Sequence, residues 1–316
     1  MKKILLTGAN GFIGQNIYKH LIKLRYFVRG TVRNLDTILI NSDTKYISVG
    51  NIDAETNWDH ALKGVDCIIH CAGKAPAINI KDELNIYRVI NKEGTKRLAE
   101  QAVRAKVKRL IFLSSVKVNG ESTDKSKGVK FFTYNDIPNP QDNYAISKFE
   151  AEKELWKIAS KTDLEVVVVR LPLVYGYGAK GNLESLIKLI YSKIPLPLGS
   201  IKNKRSLIGI DNLIDVLIRC VEHHDVAGKT FLVSDGEDLS TPELIRLIAF
   251  AMGQPAKLFT APIFLLKFFG FIIGKQSEIN RLTGSLLIDN SYVREILNWI
   301  PPVSAEEGIR RMVKGK

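Results

Sequence analysis

The sequence predicts an α/β protein with a doubly wound parallel sheet, and three observations support this fold class. Apolar runs of strand length alternate with amphipathic stretches of ten or more residues through the first half of the chain. The runs are continuously apolar, which is typical of strands covered on both faces. The first run leads into a glycine-rich turn, TGANGFIG (7–14), directly before an amphipathic stretch. Right-handed crossovers between such strands place helices on both sides of the sheet.

The elements follow one another in a regular order as far as Arg170. Strands are predicted at 3–7, 26–33, 45–49, 66–70, 109–114 and 165–170, with helices at 12–24, 82–105 and 142–161. Prolines and glycines then divide the chain into shorter elements, with helices at 182–193, 211–223, 241–252 and 304–314. We therefore expect a dinucleotide-binding domain over 1–170. Residues 171–316 are expected to form a smaller, mainly substrate-binding lobe, with some segments returning to the main sheet.

Composition and charge narrow the function classes. Hydrophobic residues make up 45% of the 316 residues and charged residues 25%, which excludes a disordered or collagen-like chain. The net charge of +13 is spread along the chain, without a basic tail that would track a duplex. A small phosphate-bearing ligand is therefore favoured over nucleic acid.

The three cysteines, Cys67, Cys71 and Cys220, are too few for a disulfide framework and suit a reducing cytoplasm. Cys67, His70 and Cys71 lie close together in VDCIIHC, but this run is predicted to be a buried strand whose neighbouring side chains point to opposite faces. No second pair of ligands at zinc-site spacing follows, so we expect no metal. The apolar run ILL near the start is too short for the core of a signal peptide, and a cytoplasmic location is expected.

The longest apolar stretch, 258–273, is interrupted by Pro262, Lys267 and Gly270 and is too short to span a bilayer. The favoured interpretation is a helix packed within the substrate lobe. The alternative is an amphipathic patch that makes weak contact with the inner face of the membrane.

Gly8, Gly11 and Gly14 lie between the first strand and the first helix. Glycine there permits a tight turn and the close approach of a pyrophosphate to backbone amides at a helix N-terminus. The spacing, G-x-x-G-x-x-G, is one residue longer than the dinucleotide fingerprint. The position of the glycines, more than their spacing, predicts a dinucleotide site.

The end of the second strand bears on the choice of cofactor. An acidic residue that holds the ribose of NAD is expected about 20 residues after the glycines, but Arg33 stands there. Because an arginine can pair with a ribose 2′-phosphate, NADP is favoured over NAD. Alternatively, Arg33 is solvated and Asp36 holds the ribose.

Tyr144 and Lys148 are spaced i and i+4 in a predicted helix, so they share one face. A neighbouring lysine and an oxidised nicotinamide would lower the pKa of the tyrosine toward the working range of a general acid or base. Ser115 follows the fifth strand, at the edge of the sheet that faces the ligand crevice. It could donate a hydrogen bond to the reacting oxygen.

Together, TGANGFIG, the serine pair in LSSVKVNG and the Tyr144–Lys148 pair resemble the extended short-chain dehydrogenase/reductases, in the epimerase/dehydratase branch that acts on nucleotide sugars. The resemblance covers almost the whole chain. It implies that Ser115, Tyr144 and Lys148 are catalytic. Besides the glycines, Arg33, Tyr144 and Lys148, it implies cofactor contacts from Asn10, Phe12, Ile13, Asn51, Ile52, Ala72 and Asn91.

The resemblance also implies that Asn182 and Arg205 contact the sugar diphosphate. Five basic residues and no acidic one lie between 185 and 210, which predicts a positive wall for that group. Asn51 replaces the aspartate that usually holds the adenine. The stretch Ser115-Val116-Lys117 lacks the Thr-Asp-Glu combination of sugar dehydratases. This absence argues against dehydratase activity.

Three functions remain open at this point. The stretches PLPLGSIKNKRSL, GKTFLVSDGEDLSTPELI and EINRLTGSL resemble enzymes of surface-polysaccharide assembly in this branch. The preferred hypothesis that this resemblance implies is reduction of the C4 ketone of a UDP-4-keto-6-deoxy-N-acetylhexosamine. Arg33 favours it over the alternative, because an exchanging cofactor suits NADP. The alternative is a UDP-hexose 4-epimerase that uses the same residues. A dinucleotide-binding sensor without catalysis is the remote third. The resemblance further suggests a homodimer formed through the helices at 82–105 and 142–161.

Overall fold

The computed structural model describes residues 2–35, 45–76, 83–123 and 130–315. Asp36, the alternative ribose ligand, lies outside them. The strands are β1 (Lys3–Thr7), β2 (Phe27–Val32), β3 (Tyr46–Ser48), β4 (Cys67–His70), β5 (Arg109–Ser115), β6 (Glu165–Leu171), β7 (Leu173–Tyr175), β8 (Leu207–Gly209) and β9 (Lys229–Leu232). The helices are α1 (Phe12–Lys23), α2 (Asp59–Leu62), α3 (Leu84–Tyr87), α4 (Gly94–Arg104), α5 (Asn143–Ala159), α6 (Asn182–Tyr191), α7 (Ile210–Glu222), α8 (Thr241–Ala251), α9 (Ile263–Ile272), α10 (Gln276–Thr283), α11 (Ser291–Leu297) and α12 (Ala305–Lys314).

Seven strands form one parallel sheet in the order β3-β2-β1-β4-β5-β6-β9. The doubly wound sheet that the sequence predicts is therefore confirmed, and all six predicted strands are present. The seventh strand, β9, comes from the second half of the chain and returns to the main sheet. β7 and β8 pair separately as a small parallel sheet.

Successive side chains of each central strand enter different cores, as continuous apolar runs require. Ile4 and Leu6 of β1 pack in a cluster with side chains from α1, α7 and α11. Leu5 packs on the other face with side chains from α2, α4 and α5. A third cluster joins α6, α8 and α12 beside the main sheet.

The predicted helix at 82–105 is continuous over the described residues 84–104, but its middle turns are π-helical at Arg88–Glu93. No residue pattern in the sequence indicated this change of winding. The residues of a π-helical turn are displaced around the helix axis, and such turns are frequent at functional sites.

The apolar stretch at 258–273 contains a helix, α9, that packs on the lobe through Leu266 but is largely exposed. α9 buries only Leu266 and Gly270 among its ten residues. Because apolar residues lie around most of the helix, a single contact stripe cannot cover them. No helix in the described part of the chain is long and apolar enough to cross a membrane.

Candidate active site

The glycine-rich turn after β1 has no room for side chains at two positions. Gly8 has φ of +66°, and a Cβ there would lie 2.9 Å from Cα of Ala72. A Cβ on Gly14 would lie 2.1 Å from the carbonyl oxygen of Gly8. The turn is therefore as tight as the sequence predicts, and Ala72 at the end of β4 forms its opposite wall.

This turn lies where the order of the sheet reverses. The chain builds β2 and β3 on one side of β1 and then crosses to β4 on the other side. Loops that diverge at such a switch point leave a crevice outside the carboxyl ends of the strands. The predicted turn and Ala72 therefore meet at the place where an α/β sheet binds ligands.

The N-terminus of α1 opens into this crevice. Its N-cap, Gly11, provides no side-chain cap, and the first turn contains no acidic residue. Phe12 and Ile13 pack their side chains against the core, and Asn10 is exposed. These residues thus offer backbone amides to an anion, and the glycines leave space for it. A dinucleotide pyrophosphate fits this arrangement.

Neutral hydrogen bonds hold the walls of the crevice together. The Thr7 hydroxyl lies 2.7 Å from Nδ1 of His70, and Nε2 of His70 lies 2.9 Å from the Thr95 hydroxyl. The backbone N–H of Ala72 also donates to the Thr7 oxygen, at 3.1 Å. This Thr7–His70–Thr95 chain links β1, β4 and α4 beneath the glycine-rich turn.

Burial, aided by the nearby Lys148 charge, lowers the pKa of His70 to about 3. His70 is therefore neutral, as its hydrogen bonds to two hydroxyls require. Burial raises the pKa of Cys67 and Cys71 to about 12. Among the described residues, the one group of three candidate metal ligands is His223, His224 and Asp225, which includes none of the three residues of the VDCIIHC run.

Arg33 directly follows β2 and is exposed. The Ser48 hydroxyl donates to its backbone oxygen at 2.8 Å, which links the ends of β2 and β3. Asn51 is also exposed, and its backbone oxygen accepts from the Thr56 hydroxyl at 3.0 Å. Ile52 packs against Gly94, where a Cβ would lie 2.4 Å from its Cγ2.

Ser115 and Tyr144 meet at the carboxyl end of β5. The Ser115 hydroxyl lies close enough to the Tyr144 phenol to lower its pKa. Ser115 Oγ also accepts from the backbone N–H of Lys117 at 3.2 Å, and the Tyr87 ring stands edge-on to the Tyr144 ring with centroids 6.2 Å apart. The structure thus places two of the predicted catalytic residues next to each other.

The protonation of Tyr144 differs from the expectation. Burial and the Asp142 charge raise its pKa to about 12, against the opposing effect of the Ser115 hydrogen bond. Lys148 does not lower it here, because the Lys148 ammonium donates to the backbone oxygen of Leu113 at 2.9 Å and lies 4.5 Å from the Phe112 ring centroid. Burial lowers the pKa of Lys148 itself to about 8.

Asn91 lies in the π-helical turn with its side chain fully buried. Its Nδ2 donates to the Ser147 hydroxyl at 3.0 Å and to the Lys74 backbone oxygen at 3.1 Å, and its Oδ1 accepts from the Lys74 N–H at 2.7 Å. The amide thus ties the loop after β4 to α5. These bonds hold the loop in place beside the crevice.

A buried ion pair lies behind Ser115. Arg170 of β6 contacts Glu152 of α5 with Nη2–Oε2 at 2.7 Å and Nε–Oε1 at 3.1 Å. Their side chains are 6% and 1% exposed. The Ser114 hydroxyl donates to Glu152, and Arg170 Nη1 donates to Asn119 Oδ1 at 3.0 Å.

A second ion pair links the segments that carry Ser115 and Tyr144. Lys117 lies 2.5 Å from Asp142 and 2.8 Å from Glu121. Asp142 also caps α5, since its Oδ1 accepts from the Ala145 N–H at 2.7 Å. Burial alone would raise the pKa of Asp142, but hydrogen bonds led by Lys117 lower it below its usual value.

Asn182 and Arg205 are placed in the second half of the fold. Asn182 is the exposed first residue of α6. Arg205 Nη1 donates to the backbone oxygens of Arg281 and Gly284 at 3.0 and 3.2 Å. Burial and the nearby Arg281 lower the pKa of Arg205, against the effect of Glu121. The structure records no contact of Asn182 or Arg205 with Tyr144 in the part of the chain it describes.

The predicted positive wall is weaker than its sequence count. Of its five basic residues, Lys188 pairs with Glu184 and Lys204 pairs with Glu243. Both acidic partners lie outside 185–210, so the count within that range overlooked them. Lys193, Lys202 and Arg205 have no recorded ion pair in the described ranges, and Arg205 has Arg281 beside it. These residues are the part of the wall that could meet a diphosphate.

Sequence reasoning missed several residues that shape this site. His70, Glu152 and Arg170 each bond to a partner far along the chain, so no local spacing reveals them. Lys117 was noticed only because it replaces a dehydratase residue. The sequence does contain a signal for this pair. Lys117 lies two residues after Ser115 and Asp142 lies two residues before Tyr144, so if the two hydroxyls meet, these opposite charges must lie close together as well.

Comparisons with known proteins agree with this arrangement. The profile of the family described as NAD dependent epimerase/dehydratase matches residues 4–234. The chain is 43% identical over 315 residues to a UDP-glucose 4-epimerase of Vibrio cholerae, covering 98% of this chain and 94% of that protein. It is 23% identical over 247 residues to an Escherichia coli O157:H7 N-acetyl-alpha-D-glucosaminyl-diphospho-ditrans,octacis-undecaprenol 4-epimerase, covering 77% and 70% of the two chains.

Solved structures share the fold over nearly the whole chain. A Bacillus cereus UDP-glucuronic acid 4-epimerase in complex with NAD superposes with a TM-score of 0.79 at 21% identity, covering 99% of this chain and 97% of that one. MoeE5 in complex with UDP-glucose and NAD gives the same score, identity and coverage.

Proposed function

The chain belongs to the NAD dependent epimerase/dehydratase family, and from this premise we propose that it is a UDP-hexose 4-epimerase. The hydroxyl pair of Ser115 and Tyr144, next to the glycine-lined crevice, is the observation that carries the proposal. It supplies the proton-handling group that oxidation and reduction at one carbon require. The 43% identity to a UDP-glucose 4-epimerase favours this function over the ketone reduction that the sequence analysis preferred.

The crevice would hold the dinucleotide through backbone groups. The amides of Phe12 and Ile13 at the start of α1 would face the pyrophosphate, while the Gly11 N–H closes the turn on the Gly8 oxygen at 3.0 Å. Gly8 and Ala72 would line the passage beside it. When bound, the nicotinamide supplies the redox chemistry, accepting a hydride from the substrate carbon and returning it. Asn91, which the resemblance implies as a cofactor contact, would also keep the loop after Ala72 in place.

Tyr144 would take the proton of the C4 hydroxyl as the ketone forms. It would return the proton after the keto sugar has rotated and presents the opposite face of C4 to the cofactor. Ser115 would donate a hydrogen bond to the same oxygen and orient it. The pKa of about 12 keeps Tyr144 protonated near neutrality in the chain alone. Positive charge beside the phenol lowers that pKa, and Lys148 together with an oxidised nicotinamide would provide it.

Lys148 would interact with both the Tyr144 phenol and the nicotinamide ribose. With a pKa of about 8, it is largely charged at neutral pH. It follows Tyr144 by one helical turn, so movement of its flexible side chain away from Leu113 would bring the ammonium toward the phenol and the nicotinamide ribose.

We propose NAD as the resident cofactor, because an epimerase restores its cofactor in each turnover and needs no exchange. NADP is the alternative that Arg33 favours, since its exposed guanidinium has no recorded ion pair among the described residues. Titration of wild type and Arg33→Asp with NADH and NADPH decides between them. If Arg33→Asp weakens NADPH binding by roughly 1.5–3 kcal/mol, as expected for a charge-assisted contact, and leaves NADH binding unchanged, NADP is supported. Equal NADPH affinities of the two proteins would remove Arg33 from the ribose site.

Arg33 also favours the second candidate, a reductase acting on a UDP-4-keto-6-deoxy-N-acetylhexosamine. Such an enzyme consumes one reduced cofactor for each sugar, so an exchanging NADP cofactor would suit it. A non-catalytic sensor is disfavoured, because a sensor has no need of Ser115, Tyr144 and Lys148 together.

Residues 171–316 would supply most of the substrate contacts, with residues 1–170 as the dinucleotide-binding domain. Arg205 and Arg281 would meet the diphosphate of a UDP-sugar, and Asn182 would contact it from the N-terminus of α6. A homodimer would form through α3, α4 and α5, where Ile86 and Val89 are exposed. The free cysteines suit a cytoplasmic location.

Two reactions run in parallel test the function. One contains purified protein and UDP-glucose without added cofactor, and the other contains a UDP-4-keto-6-deoxy-N-acetylhexosamine with NADPH. The epimerase proposal expects UDP-galactose in the first and no steady NADPH loss in the second. NADPH loss in step with ketone, without epimer in the first reaction, would instead establish the reductase.

A further inference from the structure

α9 carries an unusual number of exposed apolar side chains. Phe264, Phe268 and Phe271 are 70%, 57% and 75% exposed, although each is a large aromatic residue. Five more apolar residues of the same segment are at least 37% exposed: Ile263, Leu265, Phe269, Ile272 and Ile273. Contiguous apolar surface of this kind marks an interaction site.

The exposed residues are arranged by the helical period. Leu266 and Gly270, four residues apart, form the buried stripe, and a Cβ on Gly270 would lie 2.6 Å from Ile279 of α10. Phe264, Phe268 and Phe271 follow at i, i+4 and i+7 and therefore lie together on the opposite side. We call these three residues the phenylalanine face.

The helix is fixed to the rest of the lobe at both ends. The N–H of Gly199 donates to the Phe259 backbone oxygen at 2.9 Å, and Ser200 Oγ donates to the Ala261 oxygen. On the other side, the Arg205 guanidinium donates a hydrogen bond to the backbone oxygen of Arg281 in α10. The phenylalanine face is thus presented outward by a segment with contacts on both flanks.

The stretch of sequence that carries the phenylalanine face has charge of one sign. Between Glu243 and Glu278 the sequence contains Arg246, Lys257, Lys267 and Lys275 and no acidic residue. Lys267 and Lys275 are exposed at the side and the end of α9. Aromatic residues flanked by lysines are the combination that binds the interface of an anionic bilayer.

Size argues for a bilayer over a second copy of the chain. α9 has ten residues and is about 15 Å long, so its face is much smaller than the roughly 800 Å² that each partner of a stable protein interface buries. A shallow interfacial helix needs only to bury its apolar face about 5–10 Å into the headgroup region.

We propose that the phenylalanine face of α9, with Lys267 and Lys275 beside it, binds the surface of an anionic lipid bilayer. The helix lies parallel to the membrane, with the phenylalanine rings among the acyl chains and the lysines among the phosphate headgroups. The contact is peripheral and reversible. It is independent of the sugar that the active site takes.

Sedimentation with lipid vesicles tests this proposal on the full chain. The vesicles contain either phosphatidylcholine alone or equal parts of phosphatidylcholine and phosphatidylglycerol. Wild type is expected to pellet with the anionic vesicles and less with the neutral ones. Phe268→Ser/Phe271→Ser is expected to lower the partition coefficient roughly tenfold or more.

The matched control is Phe27→Ser/Ile300→Ser. Its two apolar residues are 57% and 70% exposed, close to the 57% and 75% of the test pair, and lie outside α9. This control should pellet like wild type. Because the substituted side chains of both variants are exposed, retained thermal unfolding transitions will establish that both fold.

Charge is tested separately with Lys267→Glu/Lys275→Glu, which should lose the preference for anionic vesicles. Failure of wild type to pellet with anionic vesicles above a lipid-free control would overturn the proposal. Pelleting unchanged by the phenylalanine substitutions would also overturn it. So would a wild-type dimer that these substitutions dissociate, in the absence of vesicle binding.

Discussion

Two parts of the same sheet edge are held together by different interactions. At β1 and β4, tight glycine packing and the neutral Thr7–His70–Thr95 chain fix the walls of the crevice. At β5 and β6, the ion pairs Glu152–Arg170 and Lys117–Asp142 fix the hydroxyl pair. The neutral part suits the binding of an anionic cofactor by backbone amides. The charged part surrounds a group that must gain and lose a proton.

This comparison predicts different responses to substitution, and the largest concerns the reacting group. Tyr144→Phe should lower turnover roughly 10²–10⁴-fold, because the ring still packs but the proton-handling hydroxyl is gone. Steady-state rates give the effect, with NAD binding and the unfolding midpoint expected to stay close to wild type. Tyr177→Phe, at a tyrosine 64% exposed, serves as the control. Wild-type turnover by Tyr144→Phe would remove this tyrosine from the mechanism.

The next largest effect falls on stability at the charged part. Arg170→Met should destabilise the protein by about 3–5 kcal/mol, because it leaves Glu152 buried without its partner. Denaturant unfolding measures this loss, and Glu152→Leu combined with Arg170→Met should recover part of it.

The exposed pair Lys188–Glu184 provides the matched control, with side chains 73% and 45% exposed. Lys188→Met should change stability by no more than about 0.5 kcal/mol. Similar losses for Lys188→Met and Arg170→Met would contradict a special role for the buried pair.

The neutral part should show its effect through pH. The pKa of His70 is about 3 in the folded chain and about 6.5 when unfolded, so the unfolded chain binds more protons between these values. Stability is therefore lost as pH falls below 6.5, by about 2 kcal/mol between pH 7 and pH 5. His70→Gln should remove this part of the pH dependence. Parallel stability profiles for the two proteins would show that His70 titrates alike in both states.

The smallest predicted effect concerns the partly exposed Lys117–Asp142 pair. Lys117→Met should cost about 1 kcal/mol or less at pH 7, because solvent screens the pair. The pKa of Asp142 is lower in the folded chain than its unfolded value of about 3.9. The ionised carboxylate therefore stabilises the fold at pH values above about 3.9, and this stabilisation is lost as the pH falls through the folded pKa. Wild type and Lys117→Met should therefore become equally stable in acid. A difference that grows as pH falls would contradict this origin.

The sequence predicts the parts of the molecule that depend on local patterns. Continuous apolar runs identified the main strands up to β6, the glycines identified the tight turn, and the i, i+4 spacing placed Tyr144 and Lys148 on one helix. The π-helical turn around Asn91 has no such pattern. The Glu152–Arg170 pair depends on α5 packing against β6, which only the assembled fold provides.

Two regions differ in part from what the sequence predicts, for the same physical reason. Apolar composition predicted that α9 would be covered, but composition does not reveal how much of a helix its neighbours can reach. The charges between 185 and 210 predict a positive wall, and Glu184 and Glu243 neutralise part of it from outside that range. In both, the partner elements decided the outcome.

The central claim is that one bound cofactor at the glycine-lined crevice and one hydroxyl pair at β5 act on the same carbon in both directions. Incubation of the protein with UDP-glucose carrying deuterium at C4 tests this claim most directly. We predict that mass and NMR analysis will find UDP-galactose with the deuterium still at C4 and none in added free NADH. Deuterium passing from the sugar into the free NADH, or UDP-galactose formed without C4 deuterium, would contradict the account.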